Sequence, residues 1–228
     1  MKFPDVSAYQ RDIDFEKMKT QTDYVILKAS QYYVDMKFEC NRSECERVGL
    51  RYGVYHFYDD RKSPREQADL FTGLFKGASL PFELWCDWEN GTHISGKYTG
   101  VKNVVAFMQE VESRTGKQMG IYTGYYFFLE NTNAITNYYQ LQYLKTRPLW
   151  LAAYIDHTPD HPELVKIPRP WKEMKYLQYG TPAIGHQYGV ESVEIDMNLV
   201  MGLPPVTSTG MRILATFGKQ TKEYNEVK

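Results

Sequence analysis

Four acidic residues lie where short apolar segments of the chain end. Asp5, Asp87, Glu89 and Asp196 each stand at or next to the end of a segment rich in Val, Ile, Tyr, Phe or Trp. Asp87 and Glu89 are two residues apart, so on one strand they point the same way, with Cβ atoms about 6–7 Å apart. Carboxyl groups crowded into a partly apolar site cannot all ionise comfortably, because desolvation and like-charge repulsion raise at least one pKa. A protonated carboxyl beside an ionised one is the pair that glycoside hydrolysis needs.

A structural role for the same residues is the alternative. An Asp at a strand end often caps a turn or accepts a hydrogen bond from a loop. A single Asp-x-Glu, here Asp87 and Glu89, is a weak motif. The residues alone therefore leave both interpretations open, a catalytic bowl of carboxylates and a structural set of strand-end caps.

The elements that would hold these carboxylates alternate between strand and helix patterns. Alternation predicts a parallel sheet with right-handed crossovers, and eight strands in about 200 residues favour a single (β/α)8-type barrel, somewhat flattened, over an open sheet. No Gly-x-Gly-x-x-Gly follows the first strand, so nothing supports a dinucleotide site. In a barrel, strands one and eight are neighbours and active sites lie at the carboxyl ends of the strands. The predicted strands are Lys2–Val6, Tyr24–Ala29, Arg51–Tyr58, Phe82–Trp88, Gln118–Thr123, Leu149–Tyr154, Lys175–Tyr179 and Val193–Asn198.

Helix signals fall between these strands. Ser63-Pro64-Arg65-Glu66 is a capping box with proline at the first helical position. Apolar residues at helical spacing in Val101–Thr115 predict a second helix, which Gly116 would end. Asp35–Val48 and Asn133–Lys145 are predicted as further helices.

Composition excludes several classes of protein. The 228 residues include 27 Lys and Arg against 28 Asp and Glu, a balance that argues against coating nucleic acid or an anionic membrane. No apolar run is long enough to span a bilayer, and Asp5 interrupts what would be the apolar core of a signal peptide. The 19 Tyr residues suit the binding of sugars or peptides.

We expect residues 1–202 to form a catalytic barrel, and 203–228 a linker and tail that contribute little to catalysis.

The chain resembles the family-25 glycoside hydrolases, a lysozyme family with many phage endolysins. The resemblance covers about residues 3–200, and one strand departs from it, because Leu177 replaces a Trp and is expected to reshape a sugar subsite. The segments that carry it are Asp5-Val6-Ser7-Ala8-Tyr9-Gln10, Val25-Ile26-Leu27-Lys28-Ala29-Ser30, Tyr52-Gly53-Val54-Tyr55-His56-Phe57-Tyr58, Leu84-Trp85-Cys86-Asp87-Trp88-Glu89, Gly120-Ile121-Tyr122-Thr123-Gly124, Leu149-Trp150-Leu151-Ala152-Ala153-Tyr154, Tyr176-Leu177-Gln178-Tyr179-Gly180 and Glu194-Ile195-Asp196-Met197-Asn198.

The resemblance implies a muramidase that cuts the β-1,4 bond between N-acetylmuramic acid and N-acetylglucosamine with retention. Glu89 matches the general acid. Asp87 matches the partner carboxylate, which either stabilises an oxazolinium-like intermediate formed by the substrate's N-acetyl group or acts as a nucleophile. Asp5 and Asp196 match the two acidic positions that orient or tune this pair. We expect Glu89 to hold a proton and Asp87 to be ionised, with Trp88 and tyrosines excluding water.

Tyr122 and Tyr154 match positions near the family's cleft, and Tyr58 and Gln178 are further candidates for substrate binding. His56 either lines the bowl or is a buried, hydrogen-bonded histidine. The segment Asp156-His157-Thr158-Pro159-Asp160-His161 resembles a metal cluster by composition, but Pro159 prevents a regular helix, so it is interpreted as a solvated loop.

The expected partner is therefore bacterial peptidoglycan, with no cofactor, no metal, no nucleic acid and no membrane insertion. The protein is expected to be a monomer that acts on the bacterial cell wall, released by phage lysis or carried in a virion. Two alternatives remain. One is a non-catalytic glycan-binding or virion structural relative on the same barrel. The other is a metal-dependent barrel hydrolase, which also gathers carboxylates at its mouth.

Overall fold

Eight strands close into a barrel in the order of the chain. The computed structural model describes residues 1–90, 96, 98–154 and 160–201. The predicted tail, 203–228, and most of the segment from Asp156 to His161 lie outside the described residues. The strands are β1 (Lys2–Val6), β2 (Tyr24–Ser30), β3 (Arg51–Phe57), β4 (Leu84–Asp87), β5 (Met119–Gly124), β6 (Leu149–Ala152), β7 (Tyr176–Gly180) and β8 (Asp196–Val200).

The direction of β8 differs from the predicted all-parallel sheet. Strands β1 to β7 pair in parallel, whereas β8 is antiparallel to both β7 and β1. The connection from β7 to β8 contains only the short 3-10 helix Gly185–Tyr188, and without a helical crossover the chain returns in the opposite direction. The amino end of β8 therefore lies beside the carboxyl ends of the other strands. Asp196, its first residue, pairs directly with Asp5.

Helices surround the barrel and confirm much of the predicted alternation. Ser63 caps the helix Pro64–Gly73 through the predicted capping box, and left-handed Gly49 and Gly116 end the helices Phe38–Val48 and Gly100–Thr115. Among the described residues, no helix is both long and apolar enough to cross a membrane. The helices are α1 (Phe15–Gln21), α2 (Phe38–Val48), α3 (Pro64–Gly73), α4 (Gly100–Thr115), α5 (Tyr125–Asn131) and α6 (Tyr138–Leu144).

The helix predicted over Asn133–Lys145 begins later, at Tyr138. The side chain of Asn133 accepts hydrogen bonds from the backbone amides of Ile135 (2.9 Å) and Thr136 (3.0 Å). An Asn side chain that bonds to its own backbone in this way stabilises a turn in competition with a helix. The apolar spacing was right for the last two turns only.

Large aromatic rings fill the inside of the barrel. Phe3, Trp85, Trp150 and Tyr176 are buried there in one cluster. Gly120 makes room for Trp85, because a Cβ at this position would lie 2.3 Å from the indole ring. Much of the aromatic content that suggested sugar binding therefore serves to fill the barrel. A second apolar cluster, which includes Cys86, lies between the barrel wall and the helices.

Candidate active site

The four acidic residues come together at one mouth of the barrel, which we call the carboxylate bowl (Asp5, Asp87, Glu89 and Asp196). Asp87 is the last residue of β4 and Glu89 follows it by two positions. Asp5 and Asp196 face each other across the β1–β8 pair. The charge of Asp5 raises the pKa of each of the other three, so the bowl is one electrostatic unit.

Asp87 is as deeply buried as Asp5, and more deeply than Glu89 and Asp196. Its surface is 5% exposed, and its Oδ1 atom accepts no hydrogen bond from the described residues. Burial raises the pKa of Asp87 well above its usual range, and the charge of Glu89 raises it further. Lys28 acts in the opposite direction. The site thus holds a carboxyl with an acceptor atom that the described residues leave unused.

Glu89 stands higher in the bowl and has more contact with solvent. Partial desolvation and then the charge of Asp5 raise its pKa, against the lowering effects of the Lys28 charge and of a hydrogen bond with Tyr122. The raised pKa of Glu89 agrees with the prediction that this residue holds a proton. The raised pKa of Asp87 runs against the prediction that it is ionised, because Asp87 ends a buried strand and is desolvated there.

Asp5 and Asp196 form the opposite wall. Burial raises the pKa of Asp5 to about 6, although hydrogen bonds from Asn198 and Gln178 favour its charged form. Burial and then the charges of Asp5 and Glu89 raise the pKa of Asp196 to about 7. A bowl in which all four carboxyl pKa values are raised retains protons close to neutral pH, as general acid catalysis requires.

Three of the four predicted substrate-binding residues reach the bowl and contact one another. The hydroxyls of Tyr122 and Tyr154 both donate to Oε1 of Gln178, at 2.7 Å and 2.6 Å. Nε2 of Gln178 donates to Oδ2 of Asp5 at 2.9 Å. Tyr154 is 60% exposed and presents a ring to solvent, whereas Tyr122 and Gln178 are buried.

Tyr58 is the exception, and its assignment to the bowl was wrong. It is fully buried between the barrel and α4, with its ring 5.6 Å from that of Phe107. Successive residues of a strand face opposite sides, and Phe57, which pairs with Asp87, takes the inward position. His56 also faces outward, where its two ring nitrogens lie 2.9 Å from Ser30 Oγ and 2.9 Å from Gln67 Oε1.

The same alternation moves Trp88 out of the bowl. It is fully buried against Phe127 and Phe128 of α5, so it does not exclude water from Glu89 as predicted. Trp85, three residues earlier, lies inside the barrel beneath the bowl.

Lys28 also belongs to the site, although no role was predicted for it from the sequence. It extends from β2 towards the bowl, 5.0 Å from the centre of the Phe57 ring, and donates to Gln31 Oε1 at 3.1 Å. Its charge favours the ionised forms of Asp87 and Glu89. The signal was present in the sequence, because a lysine inside the apolar run from Val25 to Ala29 is unusual for a buried strand.

Residues 4–187 match the family model for glycosyl hydrolases family 25. The chain belongs to this family. It is also 30% identical over 165 residues to the uncharacterized protein YegX of Escherichia coli O6:H1, a match that covers 69% of this chain. The family-25 chain spans 57% of the length of that relative.

Solved structures share the fold of this family-25 chain. The spore cortex lytic enzyme SleM of Clostridium perfringens is 26% identical, with a TM-score of 0.72 over 87% of this chain and 66% of its own. The muramidase of Trichobolus zukalii is 25% identical, with a TM-score of 0.66 over 89% and 94%. The catalytic domain of the endolysin ply40, from bacteriophage P40 of Listeria monocytogenes, is 22% identical, with a TM-score of 0.69 over 88% and 92%.

One departure from the family pattern has a different consequence from the one predicted. Leu177 is fully buried in the apolar layer between the barrel and the helices, whereas its neighbours Tyr176 and Gln178 face inward. The replacement of Trp by Leu in this family-25 chain therefore alters packing outside the barrel wall and not a sugar platform in the bowl. Within the described ranges, no group of three or more His, Cys, Asp or Glu side chains is arranged to hold a metal ion.

Proposed function

We propose that this protein is a peptidoglycan hydrolase that cleaves the β-1,4 bond between N-acetylmuramic acid and N-acetylglucosamine. The observation that carries the proposal is the pair Asp87 and Glu89 at the barrel mouth, each with a raised pKa. Family membership supports glycoside hydrolysis, and a muramidase and an endolysin are among the proteins of similar fold. Bond cleavage is favoured over a purely glycan-binding role, because both carboxyls are present and perturbed.

Glu89 is the general acid in this proposal. It donates its proton to the glycosidic oxygen as the bond from that oxygen to C1 of N-acetylmuramic acid breaks. The carbonyl oxygen of the substrate's N-acetyl group attacks C1 and forms an oxazolinium ion. Water then adds to C1, returns a proton to Glu89 and restores the acetamido group, with net retention of configuration.

Asp87 is the partner carboxylate. Its Oδ1 atom, which accepts no hydrogen bond from the described residues, is suited to accept one from the N–H of the substrate's acetamido group. A developing cation next to Asp87 favours its ionised form, so the transition state would favour an ionised Asp87 beside a protonated Glu89. Direct nucleophilic attack by Asp87 on C1 is the variant of this mechanism in which the acetamido group takes no part.

The biological setting follows from the substrate. We propose that the protein acts on bacterial cell walls as a monomer, without a cofactor, and that phage lysis or virion carriage brings it there. The modular autolysin LytC of Streptococcus pneumoniae, a protein of similar fold, was solved in complex with a synthetic peptidoglycan ligand, which supports this setting.

The decisive experiment is digestion of purified peptidoglycan followed by borohydride reduction and mass spectrometry. We expect reduced muramic acid at the new ends, whereas a glucosaminidase would yield reduced glucosamine. Digestion with a chelator present should proceed unchanged, and loss of activity there would favour the metal-dependent alternative. Binding to peptidoglycan without any new reducing ends between about pH 4 and pH 8 would contradict the proposal and favour a glycan-binding relative.

A further inference from the structure

An open pocket lies next to the carboxylate bowl, at the carboxyl ends of β5 and β6. It has a volume of about 400 Å³ and lies between the start of α5, the residues that follow β6, and residues 164–166. Tyr154 connects it to the bowl, because this residue lines the pocket and its hydroxyl donates to Oε1 of Gln178 at 2.6 Å. Gln178 in turn donates to Asp5 of the bowl. A ligand in the bowl and a group in the pocket would therefore be neighbours.

The surface of this pocket is mainly apolar. Tyr126 and Leu164 line it and are both exposed. Large apolar side chains that remain exposed around a concave surface are typical of a binding site. None of the described residues that line the pocket is Asn, Asp, Gln or Glu, whose side chains could accept hydrogen bonds from sugar hydroxyls. The pocket is thus better suited to small apolar groups than to a sugar ring.

Lys166 gives the pocket a positive charge. Of the described residues that line it, Lys166 alone is charged, and its side chain is exposed. Glu163, the nearest acid along the chain, contacts His161 instead, with 3.0 Å between Oε1 and Nδ1. A cation therefore lies next to a bowl that holds four acidic residues. Carboxylates of a ligand would be repelled from the bowl and attracted to the pocket.

The part of peptidoglycan that combines carboxylates with small apolar groups is the stem peptide, which is attached through the lactyl group of N-acetylmuramic acid and carries alanine methyl groups. Three extended residues reach about 10 Å, so the stem of a muramic acid held at Asp87 and Glu89 can extend into the adjoining pocket. We propose that this pocket binds the stem peptide, with a stem carboxylate paired with Lys166 and methyl groups packed against Tyr126 and Leu164. This inference rests on the proposed function, and it makes the protein selective for glycan strands that retain their stems.

The test compares two soluble substrates, uncross-linked glycan strands with their stems and the same strands after an amidase has removed them. We expect Lys166→Glu to raise KM for stem-bearing strands about fivefold or more, because a like charge replaces the paired one. Its KM for bare strands and its kcat should stay within about twofold of wild type. Lys172→Glu, at an exposed position near the closed end of the barrel, makes the same change in net charge and is the matched control. An equal rise on both substrates would assign the pocket to the glycan and overturn the inference, as would a rise no larger than that of Lys172→Glu.

A second measurement does not depend on activity. In the Glu89→Gln background, calorimetry compares binding of the disaccharide of N-acetylglucosamine and N-acetylmuramic acid with and without its stem peptide. We expect the stem to tighten binding, and Lys166→Glu and Leu164→Asp each to remove most of that gain. No gain from the stem, or a gain that both folded variants retain, would overturn the inference. Wild-type protein that binds the stem but hydrolyses neither substrate would instead refute the proposed function and support the assignment of the pocket.

Discussion

Glu83 and Glu89 lie six positions apart in the sequence, at opposite ends of the same barrel. Glu83 lies at the closed end, with its side chain 12% exposed. Its Oε2 atom accepts from the hydroxyls of Tyr24 and Tyr176, each at 2.9 Å, and from the indole of Trp85 at 3.2 Å. Its Oε1 atom pairs with the ammonium group of Lys175. Every oxygen of this carboxylate has a fixed donor.

The carboxyl groups at the open end of the barrel have fewer hydrogen-bond donors. Asp87 has an oxygen that accepts nothing from the described residues. Glu89 has a hydrogen bond with Tyr122 that lowers its pKa, but burial and the charge of Asp5 raise it by more. Lys28 contributes its charge from a distance and donates a hydrogen bond to Gln31 instead.

The comparison shows that burial alone does not decide what a carboxyl does. Donors stabilise the anion and lower its pKa, whereas burial without donors raises it. A carboxylate surrounded by donors, as Glu83 is, ties side chains of the barrel together. Carboxyls with few donors, such as Asp87 and Glu89, remain available to donate a proton and to accept hydrogen bonds from a substrate.

The largest effect should come from Glu89→Gln. The amide keeps the shape of the side chain but cannot donate a proton to the leaving oxygen, so we expect peptidoglycan hydrolysis to fall by about 10²-fold or more. Thermal stability should stay the same or rise, because a desolvated acid is removed. The measurement is release of reducing ends, with circular dichroism to confirm folding. The control is Glu173→Gln at an exposed position, which should retain full activity. Near-wild-type activity in folded Glu89→Gln would contradict the assignment of the acid.

The same substitution at the closed end should have the opposite result. Glu83→Gln removes the charge that pairs with Lys175 and turns an amide donor towards groups that donate themselves. We expect unfolding in urea to require about 2–3 kcal/mol less, given the strength of hydrogen bonds to charged groups. Hydrolysis per folded molecule should stay within a few-fold of wild type. A stable but inactive Glu83→Gln variant would show that the two ends are not separate in function.

The sequence predicted the elements that hold the bowl better than the direction in which they run. Alternation of strands and helices identified eight strands, and the acidic residues at their ends indicated one site. The antiparallel β8 was missed although a signal was present, because no helix pattern lies between the last two predicted strands and a parallel return usually needs a helical crossover. Asp196 reached the bowl all the same, since it begins a reversed strand and does not end a parallel one.

The errors within the site have one common cause. Tyr58 and Trp88 lie next to the correct strands, but they take the outward positions of those strands, where they contact Phe107 and Phe127. Neighbouring residues of a strand face opposite sides of the sheet. An error of one residue at a strand end therefore assigns to the bowl a side chain that in fact packs in the core outside the barrel. The depth of Asp87 depends on the assembled barrel and could not be read from the sequence at all.

The smallest effect should be on stability, through Asp196. Its pKa is about 7 in the folded protein and about 3.9 in an unfolded chain. Between these values the folded state binds more protons, so its stability falls as the pH rises from about 4 to 7. Asp196→Asn removes this dependence. We expect the variant to gain about 1–2 kcal/mol over wild type at pH 8, after allowance for solvent screening, and to match it near pH 4. Urea unfolding at both pH values measures this, with Glu173→Gln as the control that should show no pH-dependent gain. A gain of equal size at both pH values would mean that packing, and not the desolvated charge of Asp196, limits stability at the open end.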